Sequence, residues 1–481
     1  MAVAVDFDEL QRRLSERLRD SPPEQGTQTM VVCPSISFPV AELRKIVGIQ
    51  FYEERLLCLT LLLRDPELEI VYPTSVAIDD AIIEYYLSWL PDPAGARERL
   101  HLVAVGDVNP RALTDKLLSR PDLLAALRGK VRDPLRSLIL PFNVTHSEAR
   151  LAEVLGIPLY GPHPDLVDLG SKSGARRVAV AAGVKVFEGA GDLYSVEAIE
   201  RAVDRIRRAR PDAPAVVAKL NHGFSGQGNV VLPLAGMRRP LQASTAVFCA
   251  SEESWETFAP KVEADGAIVE ELARAPGVVS PSVQLRILSS TSIEIVSTHD
   301  QILGGPDEQV YLGCRFPADG VYRREIQEAA LRVGEVLAAR GVIGSLGIDF
   351  VVVPDQGVHL SEINLRSGGT THPFLMVRYV AEGEYDPVTG ELLVNGVPRV
   401  YKASDNIKSE RYVGLRPADV IAAVARAGLA YDHTAGTGAT LHLLGALPGY
   451  GKYGLVCIAG SHEEAGELYQ RVVQTVDRLG S

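Results

Sequence analysis

Three oxygen-bearing side chains are spaced for metal chemistry. Asp349, Glu362 and Asn364 lie in GIDFVVVPDQGVHLSEIN, two strand-like runs separated by Pro354-Asp355-Gln356-Gly357, whose residue types favour a tight turn. A four-residue turn sets Asp349 directly across from Glu362, with Asn364 two positions further along on the same face. Like charges opposed in a sheet cost about 0.2–1 kcal/mol, so a sequence shaped by stability alone avoids them. A hard divalent cation reverses the sign. Mg²⁺ takes oxygens from one or two carboxylates and completes its shell with phosphate oxygens and water. The plainer alternative is two solvated acids on an exposed face with Asn364 ending the strand, and a β-bulge would undo the register argument.

A second group of residues suits phosphate. Lys219 ends the apolar run Ala215–Lys219 and is followed by Asn221-His-Gly-Phe-Ser-Gly-Gln-Gly228. Small residues at Gly223, Ser225, Gly226 and Gly228 let backbone N–H groups approach phosphate oxygens closely, and a strand lysine supplies a point charge. The segment is not a P-loop, because no Lys-Ser/Thr pair follows the glycines at the required offset; alone, it is an ordinary glycine-rich turn. Lys172 is a second cation, with a solvated first-turn lysine as the plain alternative. Glu270 and Glu271 close the run Ala267–Leu272. Backbone groups at such a strand end can read an adenine edge and a carboxylate can take ribose hydroxyls; otherwise these are surface acids.

The elements that must position these residues are legible in outline. Met30–Cys33, Leu68–Tyr72, Leu100–Val105, Leu138–Leu140 and Pro158–Tyr160 read as strands. They alternate with helical patterns at Tyr52–Leu63, Asp79–Leu90, Pro110–Leu127 and Ser147–Leu155, which implies an open, mostly parallel sheet. Ser171 caps a helix over Lys172–Ala182 that Gly183 ends. Val184–Phe187, Ala267–Glu271 and Ser282–Leu288 read as strands, Glu325–Arg340 as a helix, and the last hundred residues as a small α+β cap. The expected domains are 1–168, a two-lobed 169–375 split near 267, and 376–481.

Composition narrows the classes. Of 481 residues, 46% are hydrophobic and 23% charged, with net charge −12. That is the balance of a soluble globular protein, and its sign argues against a nucleic-acid partner. MAVAVDFDEL is not a signal peptide. The apolar stretch Leu56–Leu63 is far shorter than the roughly 20 residues that span a bilayer. Five scattered cysteines without a CxxC pair suit a reducing compartment, so no membrane partner and a cytoplasmic location are expected.

Taken in order, these pieces resemble the ATP-grasp superfamily over roughly 165–375. SKSGARRVAVAAGVKV looks like its first ATP-contacting lysine and helix, AVVAKLNHGFSGQGNV like its strand lysine and flexible loop, AIVEEL like its adenine hinge, and GIDF…SEINLR like its metal strands. The Asp349, Glu362, Asn364 spacing is similar to that of D-alanine–D-alanine ligases, and the extension to Arg366 to that of biotin carboxylases. The resemblance implies an α/β ATP-grasp fold with an N-terminal parallel-sheet domain and a C-terminal α+β cap. It implies that Lys172, Lys219 and the 222–228 loop (Gly223, Phe224, Ser225, Gly226, Gly228) hold ATP phosphates. Glu270, with the backbone of Glu271 and Leu272, would read adenine, and Asp349, Glu362 and Asn364 would hold one or two Mg²⁺ ions. Arg366, or Arg286 as a second candidate with a structural ion pair as its alternative, would stabilise an acyl-phosphate.

Gly347 stands where D-alanine ligases carry an arginine, which puts their substrate recognition in doubt here. The flanking regions and RSGGTTHPF (Arg366–Phe374) look like the pheganomycin-type peptide ligases. There an amino-acid-like carboxylate is activated and a peptide supplies the amine, in antibiotic biosynthesis. His372 reads as a structural histidine, and a homodimer is a family-level expectation. The alternatives are another ATP-grasp small-molecule amide ligase, a carboxylase, disfavoured because no Met-Lys-Met biotinylation context occurs, and an ATP-binding module without turnover.

Overall fold

The computed structural model describes residues 5–18, 22–223, 228–250, 253–273, 275–304 and 310–480. Strands β1 (Thr29–Cys33), β2 (Glu69–Thr74), β3 (Leu100–Ala104) and β4 (Ser137–Pro141) form a parallel sheet in the order β3-β2-β1-β4. Each is fully or largely apolar, as parallel strands covered on both faces require. The expected strand at Pro158–Tyr160 reduces to a single parallel bridge, Ile139 to Leu159. The helix expected over Pro110–Leu127 is broken in two, Leu113–Leu118 and Pro121–Lys130. Pro121 has no N–H to continue the first helix but suits the first turn of the second.

A five-stranded antiparallel sheet follows: β5 (Gly189–Leu193), β6 (Ala215–Leu220), β7 (Asn229–Pro233), β8 (Val247–Phe248) and β9 (Ala267–Glu271), in the order β5-β9-β6-β7-β8. Helices Val196–Ala209 and Trp255–Asp265 give this lobe its own core. Val184–Phe187, read as a strand, is not one; the strand begins at Gly189. Val184 N–H closes the preceding helix onto the Ala179 carbonyl, and the Phe187 ring stacks on His359 at 4.6 Å.

The chain then enters a ten-stranded sheet through β10 (Pro281–Ser289), β11 (Ser292–Gly304), β12 (Val310–Phe316), β13 (Gly344–Val353) and β14 (Gly357–Asn364). It continues with β15 (Glu384–Asp386), β16 (Glu391–Val394), β17 (Val397–Lys408), β18 (Gly438–His442) and β19 (Lys452–Ala459). The order β14-β13-β10-β11-β12-β17-β16-β15 means that β12 pairs with β17. The last hundred residues are therefore hydrogen-bonded into the sheet that carries the acidic hairpin. One apolar cluster runs from Met30, Val32 and Ile70 of the parallel sheet, through Phe374 and Val377, to Tyr401 and Leu455. It fixes the N- and C-terminal regions to each other.

Cys33, Cys58, Cys314 and Cys457 are buried, and all five cysteines are unbridged. Among the described residues no helix is long and apolar enough to cross a membrane.

Candidate active site

The acidic hairpin forms with Asp349 directly opposite Glu362, by a different route from the simple turn. Val353 pairs with Gly357, so the turn holds three residues, not four. Asp355 at φ 64° and Gly357 at φ 84° make it tight. Ser361 then bulges out between the pairs Asp349–Glu362 and Phe350–Leu360, which restores the register the shorter turn would have lost.

Hydrogen bonds hold the two carboxylates differently. Gln301 Nε2 donates to Asp349 Oδ1 at 2.8 Å and Asn364 Nδ2 to Asp349 Oδ2 at 3.0 Å. Lys172 Nζ, on the Ser171-capped helix, meets Glu362 Oε1 at 2.6 Å. Burial, reinforced by the facing Glu362, pushes the Asp349 carboxyl up to about 6. Burial opposes the charge on Glu362 too, but the Lys172 ammonium outweighs it and, with Arg366, holds that carboxyl below the usual range. Among the described residues no three His, Cys, Asp or Glu side chains converge on one point. The donor set is instead two carboxylates and the amide oxygen left free on Asn364, which fits Mg²⁺ with phosphate and water completing its shell.

These residues line a cavity of about 1510 Å³ together with Lys219, Gly223, Glu270, Glu271, Leu272 and Arg366. Burial lowers the Arg366 guanidinium, against the attraction of Glu362 and Asp349. Its charged plane lies 5.5 Å from the ring centre of Phe38, from the N-terminal region. The loop base is built from Asn221, which sequence reasoning passed over. Its Oδ1 accepts from Ser173 N–H at 3.1 Å and Ser173 Oγ at 2.7 Å, and its carbonyl from Lys172 N–H. Loop and Lys172 helix are thus tied end to end. Gly228 closes the base at φ 79°, with Leu220 3.0 Å from where a Cβ would stand. Phe224, Ser225 and Gly226 lie outside the described residues.

Partners within the protein bear on three expected roles. Glu270 is not open to a base: its two oxygens meet Arg176 at 3.1 Å and Lys219 at 3.2 Å. The Glu271 and Leu272 N–H groups are already donated to the Glu188 and Ala215 carbonyls, which leaves the backbone carbonyls of these cavity-lining residues as the groups to meet a base. Arg286 does not line the large cavity. It is spent on Glu294 at 2.7 Å and Glu24 at 2.9 Å, the structural ion pair. His372 is buried and meets His442 Nε2 to Nε2 at 3.2 Å; burial, then the neighbouring His442, pushes it well below its ordinary value.

Comparison with known proteins gives the chain its relatives. Residues 234–386 match a family described as IQCH-like, ATP-grasp, and residues 419–472 one described as PGM1 C-terminal domain. The chain is 31% identical over 478 residues to the L-propargylglycine–L-glutamate ligase of Streptantibioticus cattleyicolor, across 96% of this chain and 97% of that protein. Biotin carboxylase from Campylobacter jejuni superposes with a TM-score of 0.58 at 16% identity, covering 94% of this chain and 93% of that one. The biotin carboxylase domain dimer of the Hydrogenobacter thermophilus 2-oxoglutarate carboxylase, in complex with MgADP, gives 0.56 at 14% identity, covering 93% and 90%. With a relative of that kind matched end to end, the chain belongs to the family of that ligase, on an ATP-grasp fold.

Proposed function

We propose that this enzyme forms an amide bond between an amino-acid-like carboxylate and the amine of an amino acid or peptide, in natural-product biosynthesis, releasing ADP and phosphate. The observation that carries the reading is Asp349 facing Glu362 in one cavity with Lys172, Lys219 and Arg366. An end-to-end relative that joins two amino acids supports the substrate class.

Asp349, Glu362 and Asn364 hold Mg²⁺ in this reading. The ion supplies the charge neutralisation that phosphoryl transfer requires. Lys219 and Lys172 are point charges for the nucleotide phosphates. Each rests on a carboxylate, Glu270 or Glu362, which keeps it ordered and aimed until phosphate oxygens compete for it. Arg366 stabilises the acyl-phosphate formed when the substrate carboxylate attacks the γ-phosphorus, then the oxyanion formed as the amine attacks the acyl carbon. Its burial strengthens both interactions, because less water screens them. Gly223 and Gly228 bracket the segment that follows Lys219 and contact the phosphates from that side. A homodimer belongs to the same proposal.

The test is a two-substrate assay. Incubation with ATP, Mg²⁺ and pairs of L-amino acids or short peptides gives ADP and phosphate in equal amounts, dependent on both partners. AMP and pyrophosphate as products would overturn the acyl-phosphate mechanism.

A further inference from the structure

One wall of the cavity is not used by the chemistry above. Tyr52 and Arg55 come from the 3₁₀ helix Ile49–Arg64, Asp405 from β17, and Lys452 from the start of β19. Arg55 Nη2 pairs with Asp405 Oδ2, and Lys452 Nζ hydrogen-bonds the Tyr52 hydroxyl. The Tyr52 ring carries both cations, with Arg55 4.4 Å and Lys452 4.7 Å from its centre.

Charge there does not balance. Two fixed cations face one carboxylate, and Lys452 is bonded to a neutral phenol rather than an acid. The histidines beside Asp405 do not change this, because burial holds His372 and His442 well below their ordinary value and so uncharged. Arg366 adds to the excess, since Arg55 lies close enough to repel it. Arg55 Nε is buried without a hydrogen-bond partner. A buried unpaired donor costs about 1–3 kcal/mol, and a guanidinium and an ammonium lining one cavity suit a carboxylate.

The wall is rigid. A Cβ on Gly48 would stand 3.0 Å from the Tyr450 ring, Gln50 Nε2 donates to Tyr450 Oη at 3.3 Å, and Gly445 N–H donates to Glu54 at 3.0 Å.

We propose that Arg55, Lys452 and Tyr52, arranged around Asp405, form a recognition subsite for a spectator carboxylate of the amino-acid substrates, one that is bound but not activated. The inference rests on the ligase reading and adds which ligand feature the enzyme selects. The carboxylate belongs either to the amine-bearing partner or to a dicarboxylic donor.

The test uses the amino-acid pair that gives the fastest ADP release. The amine partner is replaced by its α-carboxamide; where the donor is dicarboxylic, it is also supplied as each of its two monoamides. Amidation of the spectator carboxylate lowers kcat/KM by about 100-fold or more in the wild type, as for sites built around one polar group. Which compound suffers identifies the source. A donor amide that blocks the reacting carboxyl is recognised by its loss of ADP release in Lys452→Met as well.

Lys452→Met loses most of the preference for acid over amide while the KM for ATP stays within about twofold, and Lys452→Arg restores it. Melting curves confirm that both variants fold. A wild type that uses every spectator amide as well as the acid, or a Lys452→Met variant that keeps the preference, would overturn the subsite alone. ADP release that depends on no amino acid at all would remove the ligase reading and the subsite together.

Discussion

The acidic hairpin and the cationic wall share one cavity but are made in opposite ways. The hairpin draws Asp349, Glu362 and Asn364 from one β-ribbon, and its like charges face each other across a single rung. The wall joins side chains 350 and 400 positions apart in the chain, Arg55 to Asp405 and Tyr52 to Lys452, and leaves an excess of positive charge. The hairpin is a local device whose strain calls for a cation. The wall depends on the parallel sheet and the C-terminal strands sharing one apolar core, and its excess charge calls for an anion. A ligase that unites metal-bound nucleotide with a charged small substrate needs both.

The hairpin breaks first and hardest. Glu362→Gln keeps the shape and an acceptor for Lys172 but removes the anionic ligand and the ion pair. We expect turnover to fall by about 10³-fold, equivalent to roughly 4 kcal/mol of transition-state stabilisation, in a variant whose melting curve shows it folded though less stable, because the buried Lys172 loses its counter-charge. Substrate-dependent ADP release near the wild-type rate would remove the metal assignment.

Asp349→Asn tests whether opposed charge is a cost accepted for function. Gln301 donates to one Asp349 oxygen and Asn364 to the other, so Asn keeps one of these bonds and gives up the other. Turnover falls by about 10²-fold or more, while without magnesium or nucleotide the repulsion relieved, about 0.2–1 kcal/mol, is offset by a lost hydrogen bond of about 0.5–1.5 kcal/mol, and stability changes little. Excess Mg²⁺ and ATP analogue stabilise the wild type more than the variant. A variant that the same ligands stabilise as much as the wild type would mean that Asp349 does not hold the metal.

Arg286→Met separates Arg366 from the second candidate that the sequence offered for its role. Glu24 loses its partner, so stability falls by about 1–3 kcal/mol, yet kcat/KM for ATP changes only a fewfold. A loss of turnover as large as that of Glu362→Gln, in a folded variant, would return Arg286 to the catalytic group.

How much of this was legible follows the same division. The β13–β14 ribbon could be read because its periodicity and its turn residues are contiguous, and its facing acids are anomalous without a cation. The turn length was misread, because Asp355 takes a positive φ as readily as a glycine would, and the bulge at Ser361 hid the difference. Ser171 gave away the Lys172 helix through its capping chemistry. Glu270 looked free because nothing in AIVEEL shows that Arg176 arrives from a helix 94 residues earlier. Pairing of β12 with β17 had no local signal, so the join between the C-terminal region and the hairpin's sheet could not be read. Arg55, Asp405 and Lys452 were invisible for the same reason: each is an unremarkable residue in its own segment, and only the shared core brings them together.

The smallest effect concerns how the wall is stitched. Glu54, next to Arg55 in the chain, accepts from Gly445 N–H, and burial pushes its carboxyl up to about 8 from an ordinary 4.5. Because the folded value is the higher one, its contribution to stability is fully present below 4.5 and is lost as pH rises to about 8. Glu53 adds a similar but lower-lying slope, as burial raises it to about 7. Glu54→Gln keeps an acceptor for Gly445 and removes the titration. Its melting temperature therefore falls less steeply than the wild type's between pH 6 and 8, and the two curves run parallel above pH 8. Parallel curves throughout would mean that Glu54 ionises freely, and that the helix carrying Tyr52 and Arg55 is less tightly closed against Gly445 than the acidic hairpin is against its own neighbours.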